Sequence, residues 1–455
     1  MQILMNIALV IIGVLLFEFI IFAHEFGHFI TAKKSGVQVN EFALGMGPKL
    51  FSFTKGETTY SLRLFPIGGY CAMEGEDADS ENPRAFNNAK VWKRMIIIVA
   101  GALMNFVVGF LLVFIITLNT SVFYEPVISD FSPVSFTAIT GLQKGDRILS
   151  VDGYSVANFQ DLSLGIQLLQ CKTVDPDSPE VYKEDCVWEA RNLINSLFQD
   201  EKIDEATAYE LFDNELARLS EQMIAASDKS EAEKAYRAAV DKIYSASKAE
   251  NPHKYTFEVP EERQRFSGDV TVLRDGETVV LKDVQFYTYL NANDKRALGI
   301  DFSLEPKEKN FGTIMQETFT GTVSHAKSVW KSLELLVRGR FSLNDMSGPV
   351  GITKAVSDVA AVGLKNSFGD AVLNIIYFMA LITVNLGIIN MLPFPALDGG
   401  RFVFLIIEAI IRRPIPRKVE YIVNGIGMAL LIALIIFISG NDIYKLITGQ
   451  FQTIE

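Results

Sequence analysis

The chain has 455 residues, of which 49% are hydrophobic and 21% charged, and a net charge of −12. Its mean hydropathy of +0.22 excludes a disordered chain and argues for at least one part in lipid. The acidic balance lacks the basic footprint of a nucleic-acid binder. The three cysteines, Cys71, Cys171 and Cys186, are too few for a disulfide scaffold and wrongly spaced for a cysteine-based zinc site.

A membrane span needs about 20 apolar residues. Residues 3–30 form the first such run. It lacks a basic leader and a cleavage site, so it is not read as a signal peptide. Residues 40–75 alternate weakly and are broken by Gly45-Met46-Gly47-Pro48 and Pro66-Ile67-Gly68-Gly69. That predicts a β-hairpin or small sheet. Its apolar residues leave two placements open, dipping into the bilayer or lying on its cytoplasmic face. Residues 95–118 form the second span and carry no charge.

Residues 120–370 hold 27 Lys+Arg against 40 Asp+Glu, and the two flanks together hold 15 against 14. The middle is therefore acidic and water-soluble. Strand and turn signals fill 120–170 and 266–305, with Asp275-Gly276 as a hairpin turn. Residues 187–250 have helical texture, a helical block set into a β-rich domain. Further spans are predicted at 372–392 and 422–439, while 402–411 is too short to cross and is expected at the interface. The expected domains are a membrane part at 1–119, the outer domain at 120–305 with an insert near 171–265, an amphipathic linker at 306–370 and a membrane part at 371–455. Basic residues crowd the loops at 31–94 and 401–418, which places both in the cytoplasm. The acidic middle and both termini are then outside.

His24-Glu25-Phe26-Gly27-His28 carries the chemistry. Histidines four apart share a helix face and can point at one ion, with Glu25 beside it as a general base. Ionisable groups at membrane depth are costly and default to function. A catalytic zinc needs a third ligand. His253 and His325 fall in the outer region, on the wrong side of the bilayer. Asp398 is the carboxylate at the cytoplasmic end of another span. It closes Pro393-Phe394-Pro395-Ala396-Leu397-Asp398-Gly399-Gly400, where the prolines break the helix. Glu18 lies on nearly the same face as Glu25. A proton relay or polar gate facing the site is one role open to it, but it is expected at the water-filled mouth or paired with Asn105, outside the catalytic set.

The His-Glu-x-x-His in the first span, the Pro-x-Pro-x-Leu-Asp-Gly-Gly in a later one and Phe65-Pro66-Ile67-Gly68-Gly69-Tyr70 resemble the bacterial branch of the site-2 protease family. Ser347-Gly348-Pro349-Val350-Gly351-Ile352 adds to the likeness. The resemblance implies a polytopic α-helical membrane protein of about four transmembrane helices, with an inserted extracytoplasmic α+β PDZ-like domain. It implies an intramembrane zinc metalloprotease of the bacterial cell membrane. Zinc would sit on His24, His28 and Asp398, with Glu25 activating the water. Asn390, Gly68 and Gly69 would contact the substrate backbone, though a helix–helix hydrogen bond is the other role open to Asn390. The implied partners are single-span membrane protein substrates, the lipid bilayer and peptide chain ends at the PDZ-like domain. Gly141-Leu142 to Asp152-Gly153 resembles a PDZ core. Cys171 and Cys186 lie on the oxidising side of this topology, either bridged or as free thiols. A catalytically silent scaffold presenting the PDZ-like domain is the rival reading, but it has no need of Glu25 and the three ligands. A zinc transporter would want ligands along spans two and four, which offer none.

Overall fold

The computed structural model describes residues 2–76, 80–132, 135–173, 179–248, 264–286, 288–290, 296–340 and 348–448. The chain forms two compact units, Met1–Thr120 with Ile314–Glu455, and Ser121–Thr313. His253 and Ser347 lie outside the described residues.

The first apolar run and the His-Glu-x-x-His segment form one helix, α1 (Gln2–Ser35), closed by Lys33 and Lys34 at its negative end. Gly36, at φ +84°, terminates it. β1 (Val39–Lys55) and β2 (Thr58–Met73) follow. Residues 41–44 pair antiparallel with 69–72 on one side and, in rising register, with 59–62 on the other. Residues 51–55 pair with 58–62. Two long strands thus fold into a four-segment sheet, bent at Gly45 and Gly47, both at positive φ. Phe42, Cys71 and Met73 of this sheet pack with Phe22, Phe26 and Phe29 of α1. Leu50, Phe51, Phe53, Leu62, Leu64 and Phe65 of the hairpin stand exposed. The second apolar run is α2 (Val91–Asn119). It meets α1 where glycines face each other. A Cβ on Gly27 would lie 2.8 Å from the Ala100 carbonyl carbon and 3.1 Å from Gly101 Cα. Small residues are what let two membrane helices approach this closely.

The middle unit opens with β3 (Phe123–Phe131), α3 (Phe136–Ile139), β4 (Arg147–Val151), β5 (Tyr154–Ser155), α4 (Phe159–Gln167) and β6 (Cys171–Thr173). A helical block follows: α5 (Pro179–Gln199), α6 (Glu205–Glu210), a π-helical turn at Leu211–Leu216, α7 (Ala217–Ala225) and α8 (Lys229–Ser245). The unit closes with β7 (Gln264–Arg274), β8 (Glu277–Phe286), β9 (Thr288–Leu290), β10 (Arg296–Leu298) and β11 (Phe302–Lys307). The main sheet runs β11-β3-β4-β7-β6, with β5 on β4 and β8 on β7. Asp275 and Gly276, both at positive φ, make the tight turn between the paired Arg274 and Glu277, as their sequence predicts. The helical block has its own core, built on Leu193, Ile194, Leu197, Leu219, Met223 and Ile243. Phe136 and Ile139 of α3 are buried in that same core, so the block is bonded to the β-rich part by packing. It leaves and re-enters the sheet on neighbouring strands, because β6 pairs with β7. Cys186 is a free thiol inside the block, and burial pushes it up to about 12. The side chain of Cys171 lies outside the described residues.

The last part comprises α9 (Phe311–Val337), α10 (Pro349–Leu364), α11 (Phe368–Asn390), α12 (Asp398–Ile411) and α13 (Arg417–Thr448). Among the described residues, four helices are long and apolar enough to cross a membrane: Ile11–Ser35, Val91–Asn119, Phe368–Asn390 and Arg417–Thr448. The expected run at 422–439 is thus the centre of a longer helix. α12 has 14 residues, too few to span. Asp442 of α13 accepts from the Gly348 and Gly351 amides at 2.9 and 2.8 Å, which satisfies the free donors at the start of α10. His325 corrects an expectation. It belongs to the membrane unit, buried beside Tyr377 of α11. Thr318, Gly321, Ser324 and His325 form a buried stripe of mostly small residues on α9, and that stripe brings the histidine inward.

Candidate metal centre

His24 and His28, one turn apart on α1, bring their Nε2 atoms to 3.2 Å. Asp398, the first residue of α12, places Oδ2 at 3.2 Å from His24 Nε2 and 3.3 Å from His28 Nε2. Among the described residues these three form the one cluster able to hold a metal ion. The backbone behind Asp398 explains its position. A Cβ on Gly400 would stand 2.9 Å from the Phe394 carbonyl carbon and 3.1 Å from Pro395 Cα. Gly399 sits equally tight against the Met391 and Leu392 carbonyls. Two glycines are therefore what allow α12 to start folded back on the broken end of α11. From α13, Asn424 accepts from the Ala396 amide at 3.2 Å, and Gly427 packs on Pro395.

The outer nitrogens of both imidazoles are engaged. His28 Nδ1–H donates to the Ile97 carbonyl at 2.9 Å, which leaves a lone pair on Nε2. His24 Nδ1 lies 3.2 Å from the amide of Asn105, whose Oδ1 is buried without a partner. Turning that amide over satisfies both groups at once. Oδ1 then accepts from His24 Nδ1–H, and His24 Nε2 also presents a lone pair. Three lone pairs then converge, and Asp398 Oδ2 is itself buried with no hydrogen-bond donor. Such a triangle is repulsive without a cation. A tetrahedral zinc site with arms of about 2.0 Å has edges of about 3.3 Å, the spacing found here. The residues fit zinc, and a fourth corner is left open.

Glu25 is half-buried and within Coulombic range of His24, His28, Asp398 and Glu76. A Cβ on Gly69 would lie 3.5 Å from Glu25 Cγ and 3.6 Å from Ile21 Cγ2, so the 69–73 edge of the hairpin runs beside the carboxylate. Gly68, at φ +92°, packs against the Met46 side chain. Asn390 Nδ2 lies 3.4 Å from His24 Nε2. The structure thus brings His24, Glu25, His28, Asn390, Asp398 and Gly69 together, while Gly68 is seen only against Met46. Glu18 does not pair with Asn105, whose side-chain amide faces His24. The hairpin also carries a polar cluster. Burial alone would raise the Glu41 carboxyl, but hydrogen bonds from Ser61, Arg63 and Lys49 hold it down at about 2.

Sequence reasoning missed Gly101 and the role of Asn105. A Cβ on Gly101 would stand 2.6 Å from His28 Cε1 and 2.9 Å from His24 Cε1, so α2 forms the floor of the site. The available signal was a glycine and an asparagine in an otherwise apolar span.

The sequence model of peptidase family M50 matches residues 12–434. The chain is 31% identical over 444 residues to the regulator of sigma E protease of Haemophilus influenzae, covering 93% of this chain and 96% of that one. It is 30% identical over 519 residues to the regulator of sigma-W protease RasP of Bacillus subtilis, covering 96% and 98%. It is 29% identical over 519 residues to the zinc metalloprotease RasP of Bacillus licheniformis, covering 96% and 99%.

Proposed function

We propose that this chain, which belongs to peptidase family M50 and is a multi-pass zinc metalloprotease, holds its zinc on His24, His28 and Asp398 and uses Glu25 as the general base. The observation that carries this assignment is the 3.2–3.3 Å triangle of Nε2, Nε2 and Oδ2 atoms. When bound, zinc acidifies water and polarises a carbonyl. Glu25 takes the proton of the attacking water and delivers it to the leaving amine nitrogen. Ile97 and Asn105 hold the two imidazoles in the tautomer that leaves Nε2 free.

The substrate is a transmembrane segment that must unwind to expose a peptide bond. The Gly68–Gly69 edge would hold it by strand addition, and Asn390 by its side-chain amide. The exposed apolar side chains of the hairpin support the bilayer-dipping placement over the peripheral one, since a water-facing hairpin does not leave six large apolar side chains bare. The hairpin and the 401–418 loop face the cytoplasm in this reading, and the Ser121–Thr313 unit is a PDZ-like extracytoplasmic domain. Among the described residues β11 ends the main sheet, and its free edge suits a peptide chain end. Two relatives are named regulators of sigma E and sigma-W, which favours anti-sigma-factor-type membrane substrates, with remnant signal peptides as the second class. The test is membrane-fragment proteomics in cells carrying wild type or Glu25→Gln. Single-span fragments should accumulate in the variant. Identical fragment pools would refute the assignment.

A further inference from the structure

Both imidazoles of the site are supported from one stripe of α2. Ile97 accepts from His28 Nδ1, Asn105 faces His24 Nδ1, and Gly101 lies against both rings. The stripe begins at Arg94, with the four residues at i, i+3, i+7 and i+11. Arg94 makes a two-bonded ion pair with Glu408 of α12, at 3.1 Å from Nη1 to Oε2 and 2.5 Å from Nη2 to Oε1. The two side chains are only 12% and 13% exposed. Arg94 Nε also donates to the Ala89 carbonyl at 3.1 Å, so the guanidinium is fixed on its own helix before it meets the carboxylate. A charged pair enclosed in a membrane unit is costly and defaults to a function.

α12 carries Asp398 and needs a fixed direction. Of its 14 residues, just Gly399, Gly400 and Leu405 are buried. Ile406, Ile407, Ile410 and Ile411 are exposed, and apolar contact with lipid fixes no direction. Phe404, Leu405 and Glu408 share a cavity of about 410 Å³ with Phe86, Arg94 and Arg417, so close packing does not set the angle there either. The two glycines fix where α12 begins, but they carry no side chain to fix where it points. Glu408 stands ten residues past Asp398, about 15 Å along the helix. A swing of about 15° at the first turn would move Glu408 by about 4 Å, and a site of this kind tolerates about 10–20°. A two-bonded Arg–carboxylate pair is a directional contact at the end of that lever. Near its start, Arg401 adds a tie to Glu76, just beyond β2.

We propose that Arg94 and Glu408 are positioning residues: their pair sets the direction of α12 and so holds Asp398 at the two imidazoles. One stripe of α2 then supports all three ligands, two of them directly and the third through α12. The proposal rests on the reading of Asp398 as a zinc ligand. Because the two side chains act through each other, losing either should cost as much zinc affinity as losing both.

The test uses full-length protein in nanodiscs. Zinc affinity is measured by competition against a chelator, well below the unfolding temperature, and kcat and KM are taken for a single-span substrate at saturating zinc. Arg94→Gln and Glu408→Gln should each weaken zinc binding about tenfold or more, the low end for lost support of a metal ligand. Their kcat should fall while KM stays within about twofold, since neither residue binds substrate in this reading. The double variant should lose no more than the single ones, the non-additivity of residues in direct contact. If Arg94→Gln does not fold, Arg94→Lys keeps the charge without the fork and carries the same expectation. Lost stability lowers the folded fraction but not the affinity of the folded protein, so a merely structural pair would leave the affinity at the wild-type value. That result, with zinc lost from Asp398→Ala alongside, overturns the positioning role alone. Losses that add in the double variant also overturn it, because the two side chains would then act separately. Full zinc in Asp398→Ala would refute the ligand assignment and take this proposal with it.

Discussion

The amide of Asn105 stands 3.2 Å from His24 Nδ1, on the side of the ring away from Asp398. It is fully buried on α2, and the Thr383 hydroxyl of α11 donates to its backbone carbonyl at 3.2 Å. One imidazole of the site is therefore oriented by a helix that is in turn tied to a third. Asn105→Ala should leave the fold intact and weaken zinc binding about 10–100-fold, the usual cost of losing such a support. Competition against a chelator measures it. Unchanged affinity would mean that packing alone holds the ring.

His24→Ala and Asp398→Ala should each lose the zinc, whereas Glu25→Gln should keep it at one per chain. Cleavage in Glu25→Gln should fall by at least about 10²–10⁴-fold, the range of general-base loss. Metal analysis showing full zinc in Asp398→Ala would remove that residue from the site. Activity of Glu25→Gln within about tenfold of wild type would remove the base.

Gly101→Ala tests the floor. The added methyl has no room against the His28 ring, so either α2 shifts or the ring turns. Zinc content should drop although no ligand is touched. Gly36→Ala serves as the contrast, because a Cβ there meets nothing and only its positive φ is strained, so zinc content should hold.

How far the sequence reaches is set by period and by charge. The apolar runs are longer than any soluble helix needs, and this makes α1, α2, α11 and α13 legible. His24 and His28 share a face because a helix repeats every 3.6 residues. Asp275-Gly276 announces its turn because few other residues adopt that backbone. Other features have no such signal. The uncharged run of α2 does not say which of its faces looks at the histidines, so Gly101 and Asn105 stay hidden. Phe136 and Ile139 sit on a helix of four residues, too short for any period, and their burial in the helical block appears only in three dimensions.

The charge cluster on the hairpin gives a pH dependence. The Glu41 carboxyl is held at about 2 by Ser61, Arg63 and Lys49, against an ordinary value of 4.5. A depressed carboxyl contributes its stability above 4.5, and that contribution is lost as the pH falls through 2. Wild type should therefore unfold at a higher temperature than Glu41→Gln at pH 7, with the gap closing between pH 4.5 and 2. A gap that does not change with pH would show that the side chain acts by shape alone.

The helical block offers the sharpest test of the Ser121–Thr313 unit. If the block excludes large substrates, it is a gate and takes no part in the chemistry. β6 and β7 are paired at residues 171–173 and 264–266, so residues 174–263 can be replaced by a short Gly/Ser link without breaking the sheet. Excision alone is not neutral, because Phe136 and Ile139 lose the core that covers them. Each exposed side chain costs about 1.5–3 kcal/mol, and two bare apolar residues on one short helix invite aggregation. The deletion should therefore be made together with Phe136→Ser and Ile139→Thr. Zinc content and cleavage of a short model helix should then match the full chain, while cleavage of substrates with bulky outer domains rises. Lost cleavage of the short helix, with zinc content and the membrane unit intact, would mean that the block recruits substrate. The Ser121–Thr313 unit would then be a binding module rather than a gate.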